Sequence, residues 1–221
     1  MAESRHGSSE HSADGSRNAP RLIVFSDTTR APMELMLVRF ALLAGAAQRG
    51  TVLFVVRDYG LPARARLELG VRLRVLAAES GQSLGIADRA DLALALRASA
   101  LHLPESGLGE RDARRYLGQG VFLSRACHDP LRAAEPGADA VLLSPIFGAR
   151  KGRPALGLVA VEQALAKRAK SQGPAIYALG AVDAGNAAAC VSAGATGVAV
   201  IGAALALDHR PLLKALEIGR S

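Results

Sequence analysis

Short, mostly apolar runs alternate with longer segments of helical spacing along the chain after residue 20. Apolar runs of four to six residues that end at polar or glycine residues are typical of strands buried on both faces of a parallel sheet. Runs of this kind predict eight strands, at Arg21–Phe25, Thr51–Val56, Ser83–Ile86, Ala100–Leu103, Gly120–Ser124, Asp139–Leu143, Ala175–Leu179 and Gly197–Ile201.

The segments between these runs have the apolar spacing of helices, and several of them open at proline or close at glycine. Phe147–Gly157 is an exception, since its content of Gly, Pro and Arg is typical of an irregular loop. Predicted helices cover Pro32 to about Gln48, Pro62–Glu79, Ala90–Arg97, Glu110–Leu117, Pro130–Ala134, Val159–Ser171, Asp183–Ala193 and about Pro211–Ile218.

Eight strands alternating with eight helices in 221 residues predict an α/β fold, a single-domain TIM (β/α)8 barrel over residues 21–221. A doubly wound open sheet has the same alternation, but the GxGxxG dinucleotide loop is absent after the first strand, which favours the barrel. Met1–Pro20 is rich in Ser, Gly and charge, and we expect it to be a disordered tail.

Charge and composition narrow the classes of partner. The formal charge is +7, and residues 1–20 carry two arginines against three carboxylates, so the rest of the chain carries +8. Its cations are spread over helical segments without an aromatic-interleaved stripe, so no nucleic-acid partner is expected. No apolar stretch approaches a span of ~20 residues, so no membrane is expected either. Two cysteines, Cys127 and Cys190, are too few for a disulfide framework, which favours the cytoplasm.

Polar residues at the ends of the predicted strands are the candidates for chemistry, because barrel sites lie there. Arg57 follows the second strand, and its guanidinium suits an anion, although an ion pair with a nearby carboxylate is the alternative. Asp88 beside Arg89 suits a metal or phosphate site, or only a salt bridge within the loop. His128, just past the fifth strand, is a candidate for acid–base chemistry.

Other strand ends suggest a site for phosphate. Gly180 and Gly202 follow the seventh and eighth strands, where glycine lets backbone N–H groups approach an anion; two buried strands with ordinary turn glycines are the alternative. The loop cations, among them Lys151, suit a phosphate-bearing substrate. His102 alternates with two leucines and points either into the barrel or into the helix layer, where a core histidine is the simpler interpretation.

Three segments resemble the thiamine phosphate synthase/TenI superfamily: GIADRADLALALRASALHLPES, DAVLLSPIFGARKGRPALGL and AIYALGAVDAGNAAACVSAGATGVAVIGA. The similarity runs from about Arg21 to the C-terminus. It implies a TIM barrel that acts on small-molecule phosphate substrates, and we consider a homodimer as its assembly. Synthase members of this family join hydroxymethylpyrimidine pyrophosphate to a thiazole phosphate with Mg²⁺ and release pyrophosphate.

The resemblance also assigns residues. Gly180 and Gly202-Ala203 match the family's thiazole-phosphate cradle. Arg57 and Lys151 match residues that handle the pyrophosphate, and Asp88 matches one of two metal-binding aspartates.

Several positions depart from the family pattern. Tyr59 stands where a basic residue is usual, Ala87 replaces an asparagine and Gly107 replaces the second metal aspartate. Pro104 and Glu105 replace Gly-Gln, Ala126 replaces a serine, and the histidine of the TenI tautomerases aligns with Pro145. The loss of a metal carboxylate and of pyrophosphate ligands implies a weakened magnesium site.

Three functions follow from this pattern. The first is thiamine phosphate synthesis. The second is a TenI-like tautomerisation of thiazole phosphate, in which His128, or His102 if it faces the barrel, moves the proton. The third is binding of thiazole or thiamine phosphate without catalysis.

Overall fold

A computed structural model describes residues 19–135, 137–150, 152–168 and 173–220. Its eight strands pair in parallel and in chain order, and the eighth pairs with the first to close a barrel. The predicted TIM barrel is therefore confirmed, and the open sheet is excluded. None of the helices in these ranges is both long and apolar enough to traverse a bilayer. Of the predicted tail, all but Ala19 and Pro20 lies outside the described residues.

The strands lie close to the predicted bounds, with one extension. They are β1 Leu22–Phe25, β2 Val52–Val56, β3 Ser83–Ala87, β4 Ala100–Leu103, β5 Phe122–Cys127, β6 Ala140–Leu143, β7 Ala175–Leu179 and β8 Gly197–Val200. The prediction ended the fifth strand at Ser124, but three further residues pair with β6, from Arg125 to Cys127. Cross-strand pairing, rather than apolar content, sets the end of this strand.

The helices on the outside of the barrel are shorter than predicted after β5, β7 and β8. They are α1 Met33–Ala46, α2 Ala63–Ser80, α3 Ala90–Ala95, α4 Glu110–Leu117, α5 Val159–Arg168, α6 Ala187–Ser192 and α7 Arg210–Ala215. Short 3-10 turns, Arg132–Ala134 and Gly202–Leu205, follow β5 and β8. The predicted end of α5, through Ser171, lies outside the described residues.

The start of α6 shows why a predicted helix shortens. Asp183 to Asn186 form a turn in which Asn186 Oδ1 accepts the Asp183 N–H at 3.0 Å and Asp183 Oδ1 accepts the Gly185 N–H at 2.8 Å. Asn and Asp side chains compete with helical hydrogen bonds in this way. The helix therefore begins four residues later than its sequence spacing predicts.

Alternation along the strands builds two apolar layers. In β1, Ile23 and Phe25 point into the barrel, while Leu22 and Val24 pack against the helices. Tyr177 is fully buried inside the barrel, and its hydroxyl donates to the carbonyl of Pro20 just before β1. The carboxyl ends of the strands all point to the opposite rim, which we call the mouth.

The closure of the barrel depends on Gly197, the first residue of β8. A Cβ at this position would lie 2.2 Å from the carbonyl oxygen of Arg21, which also accepts the Val198 N–H at 3.1 Å. Backbone atoms on both sides prevent this contact from relaxing. Only glycine therefore lets β8 come this close to the start of β1.

Gly197→Ala is expected to lower the free energy of unfolding by roughly 2–4 kcal/mol, because the added methyl group would force the two strands apart. Urea unfolding followed by circular dichroism measures the change. Gly45→Ala, on α1, is the matched control, since a Cβ at that position meets no atom within 4 Å. That control should be neutral or slightly stabilising. Equal stability of the two variants would contradict this account of the closure.

Candidate functional site

The mouth of the barrel contains a cavity of about 300 Å³. Phe25 and His102 lie at its base, and it brings together four residues predicted from the sequence: Arg57, Asp88, His128 and Gly180. The remaining lining residues that bear on the chemistry are Tyr59, Glu105, Ser144, Arg150 and Arg153.

A second cavity, of about 540 Å³, lies beside the first at the ends of β7 and β8. We call it the cradle. Gly180, Gly202 and Ala203 line it, as the sequence predicts, together with Arg30 and Arg150. Gly180 and Arg150 also line the mouth cavity, so the two cavities are neighbours. Gly202 and Ala203 begin a 3-10 turn, and the first N–H groups of such a turn have no carbonyl partner within it.

Gly180 is required by the geometry of the cradle. Its φ of +108° disfavours any side chain, and a Cβ would lie 2.9 Å from Pro145 Cα and 3.0 Å from Ile146 N. The loop after β6 therefore packs directly on the backbone at the end of β7. Lys151, which the sequence places on that loop, lies outside the described residues.

Arg57 is held by Asp27, at the end of β1. Asp27 Oδ2 lies 3.3 Å from Arg57 Nη1 and 3.5 Å from Arg30 Nε, so one carboxylate contacts an arginine from each cavity. Burial opposes the ionisation of Asp27, but hydrogen bonds from Thr29 and the charge of Arg57 outweigh it and lower its pKa. The ion pair foreseen as an alternative for Arg57 is therefore present, and Arg57 still lines the mouth.

Arg30 was not among the sequence candidates. Its Nη1 lies 3.4 Å from the position that a Cβ on Gly202 would occupy, so the guanidinium covers this glycine. Arg30 lies in the loop between β1 and α1, five residues beyond the end of the strand. Only its position after a predicted strand could have drawn attention to it.

A buried network fixes the backbone of Arg57. Asp58 is 6% exposed and accepts hydrogen bonds from the Ser26 hydroxyl and the Thr28 N–H. The Ser26 hydroxyl in turn accepts the Arg57 N–H at 3.0 Å. The ends of β1 and β2 are thus joined by side chains beneath the two arginines.

His102 points into the barrel, which settles the orientation that the sequence left open. Its ring lies edge-on to Phe25 at 5.0 Å, and Nδ1 lies 3.0 Å from the Ser124 hydroxyl. Burial lowers the pKa of His102 to about 3, with contributions from the charges of Arg57 and Arg125. It is therefore a neutral, packed histidine at the base of the cavity.

His128 has one ring nitrogen available to a ligand. Nδ1 lies 2.6 Å from the carbonyl oxygen of Ser144, which only accepts, so Nδ1 carries the proton. The other nitrogen, Nε2, lies 3.9 Å from Glu105 Oε2 at the edge of the mouth. Glu105 Oε1 also accepts a hydrogen bond from the backbone N–H of His128 at 3.1 Å. The sequence marked Glu105 only as a departure from the family and missed this pairing.

Asp88 follows β3 with a φ of +62°, and its N–H donates to the carbonyl of His102 at 2.9 Å. Its carboxylate is exposed at the mouth, while its neighbour Arg89 pairs with Asp91 rather than with Asp88. No three His, Cys, Asp or Glu side chains in the described ranges form a metal cluster. A Cβ on Gly107 would lie 3.9 Å from Asp88 Oδ1, so the missing second carboxylate would face the first.

Arg125 lies outside the mouth, because the extended β5 turns its side chain toward the helix layer. It pairs with Glu110 and donates to the carbonyls of Pro104 and Leu108, each at 2.7 Å. These partners belong to the loop between β4 and α4 and to the start of α4. Arg125 therefore clamps the loop that carries Glu105.

The fold and site define a closed (β/α)8 barrel with an arginine-rich mouth and a glycine-lined cradle at its last two strands. Residues 32–204 match the family model described as thiamine monophosphate synthase. The chain belongs to this family.

Two curated relatives and one solved structure illustrate the similarity. The thiamine-phosphate synthase of Moorella thermoacetica is 35% identical, over 74% of this chain and 79% of the relative. That of Natronomonas pharaonis is 37% identical, over 74% of this chain and 78% of the relative. The thiamine phosphate pyrophosphorylase structure from Pyrococcus furiosus is 27% identical, with a TM-score of 0.74 over 91% of this chain and 97% of that one.

His102 makes stability dependent on pH. Below its ordinary pKa of 6.5 the unfolded chain protonates this histidine, whereas the folded chain does not do so until about pH 3. The unfolded state therefore binds more protons, and stability falls as the pH falls from 6.5 toward 3. From pH 8 to pH 5 we expect this histidine to lower the free energy of unfolding by about 2 kcal/mol. His102→Gln should remove most of that loss. Urea unfolding of both proteins at the two pH values measures it, and equal losses would refute the assignment.

Proposed function

We propose that the chain is a thiamine phosphate synthase, which joins hydroxymethylpyrimidine pyrophosphate to thiazole phosphate and releases pyrophosphate. The observation that carries this proposal is the pair of neighbouring cavities that share Gly180 and Arg150. A transferase of this kind must hold two phosphorylated substrates with their reacting atoms adjacent. Family membership supports the same reaction.

The cradle is the proposed site for thiazole phosphate. Backbone N–H groups at Gly180, Gly202 and Ala203 would face the phosphate, and Arg30 and Arg150 would add charge. The thiazole ring would then extend toward the mouth over Leu179 and Ile201, two apolar residues that line both cavities.

The mouth is the proposed site for the pyrimidine and its pyrophosphate. Arg57, Arg153 and Lys151 would stabilise the departing pyrophosphate, whose charge grows as its bond to the pyrimidine methylene breaks. The thiazole nitrogen would attack that methylene carbon from the cradle side. Asp27 and Asp58 would keep Arg57 oriented through the contacts described above.

The side chains at the mouth offer few ligands to Mg²⁺, so they would bind this ion weakly. Asp88 and Glu105 are the two carboxylates among the described lining residues, and Glu105 is also occupied by His128 and by Arg153 at 3.8 Å. Such a set fits an ion that takes most of its ligands from water and substrate phosphate. Asp88 would hold the ion, which would supply further positive charge to the pyrophosphate.

Tautomerisation of thiazole phosphate is a second candidate, and the pairing of His128 with Glu105 favours it. A histidine with a fixed tautomer and a nearby carboxylate is suited to moving protons. Binding without turnover is the remaining alternative.

We also propose a cytoplasmic location, since both cysteines are free and buried. The homodimer considered as the assembly of this chain remains a prediction. Light scattering of the purified protein tests it.

Turnover tests the main proposal. Purified protein should convert hydroxymethylpyrimidine pyrophosphate and thiazole phosphate to thiamine phosphate in the presence of Mg²⁺. Arg57→Ala should lower kcat/KM by about 100-fold or more, because a charge that opposes the leaving group is lost. Arg64→Ala, an exposed arginine on α2, should not change it.

Absence of product while thiazole phosphate still binds would reject the synthase. A solvent-exchange assay at the thiazole carbon then separates the alternatives. Proton exchange that is lost in His128→Gln would indicate a tautomerase, whereas no exchange would indicate a binding protein.

Gly107→Asp should strengthen the magnesium site, because it adds a carboxylate facing Asp88. The Pro104 ring, whose Cγ lies 2.9 Å from the new Cβ, must shift to admit it, and the same shift applies to the control below. We expect the apparent Kd for Mg²⁺ to fall about fivefold to tenfold when measured calorimetrically with inorganic pyrophosphate present. Gly107→Asn is the matched control of similar size without the charge. If both variants bind Mg²⁺ alike, Asp88 is not the ligand.

A further inference from the structure

Arg66, in the first turns of α2, is a buried cation that neither the family resemblance nor the site described above uses. Only 5% of the residue is exposed, and within the described ranges the charges of Asp58 and Asp88 act on it through space without a salt bridge. Burying a guanidinium group without an ion pair is costly, so such a group needs either strong hydrogen bonding or a function.

The contacts of Arg66 compensate its charge only in part. Nη2 donates to the carbonyl of Ala87 at 2.7 Å, whereas Nε has no hydrogen-bond partner within the described part of the chain. Its guanidinium carbon lies 5.7 Å from the centre of the Tyr59 ring. A cation over an aromatic face is favourable, but the ring does not neutralise its charge.

These contacts put Arg66 directly behind one corner of the mouth. Tyr59 and Asp88 line that corner, and Ala87 is the residue before Asp88. Arg57 lies over the same Tyr59 ring at 5.3 Å, so two guanidinium groups converge on one side chain. A positive charge in a low-dielectric wall projects its field into the adjoining cavity.

We propose that Arg66 positions and favours a diphosphate anion at the corner of the mouth formed by Tyr59 and Asp88. It acts as a positioning residue, through the Tyr59 ring and the end of β3. The identity of the ligand as a diphosphate rests on the proposed function. The corner suits a multiply charged anion, because the guanidinium groups of Arg66 and Arg57 both lie against the Tyr59 ring.

A purely structural role for Arg66 makes the opposite prediction. If Arg66 only ties α2 to β3 through Ala87, its replacement should reduce stability and affect all ligands alike. If its charge is functional, Arg66→Met should preserve or raise the melting temperature, since an apolar chain of similar volume removes the cost of desolvation. Ligand binding should then be lost selectively.

Calorimetric titration of the full chain with inorganic pyrophosphate tests the proposal, with inorganic phosphate as the second probe. Arg66→Met should weaken pyrophosphate binding about tenfold and change phosphate binding less than about twofold. Arg66→Lys should recover part of the affinity. Arg64→Met, on the exposed face of the same helix, should bind as the unmodified protein does.

Tyr59 provides a second variant that leaves Arg66 in place. Tyr59→Leu removes the ring that lies against the Arg66 guanidinium and should show the same selective loss of pyrophosphate binding. Unchanged pyrophosphate affinity in Arg66→Met, or equal losses for both anions with a lower melting temperature, would overturn the proposal.

The unmodified protein decides between the two proposals. If it binds pyrophosphate, Arg66→Met selectively weakens that binding and no thiamine phosphate forms, the synthase proposal fails and the role of Arg66 stands. If it binds no pyrophosphate, the role of Arg66 fails.

Discussion

The pairing of β8 with β1 is the contact on which the rest of the structure depends. Gly197 permits it by leaving room for the Arg21 carbonyl, and it turns an open sheet into a ring. In a ring of parallel strands every carboxyl end lies at one rim. Residues as distant in sequence as Asp27 and Gly202 therefore meet around one opening, although no local feature of the chain would bring them together.

Electrostatics at the rim depend on carboxylates that are shared between neighbouring side chains. Asp27 contacts both Arg30 and Arg57, and Glu105 contacts both His128 and Arg153. Each carboxylate therefore holds two side chains in place before a ligand arrives. A cavity wall of low dielectric strengthens the attraction between the oriented guanidinium groups and an anion.

Much of the fold and part of the site could be predicted from the sequence. Apolar runs predicted the positions of the strands. The polar or glycine residues at strand ends were predicted to lie together because strand ends converge in a closed barrel, and the mouth is indeed lined by Arg57, Asp88, His128 and Gly180. Arg30, Glu105 and Arg66 escaped prediction because they lie in loops or on a helix. Whether such side chains reach a cavity depends on loop path and side-chain reach, which hydrophobic periodicity does not encode. The extended β5 was missed because backbone pairing, not composition, ends that strand.

The clamp made by Arg125 has a consequence for exchanging parts between related barrels. The loop after β4 carries Glu105 to the mouth, yet it is held from behind by a residue of another strand through Glu110 and two carbonyls. A loop transplanted from a relative would arrive without its anchor unless residue 125 were exchanged with it. Loop and anchor must therefore be exchanged together, although Pro104 and Arg125 are 21 positions apart in the chain.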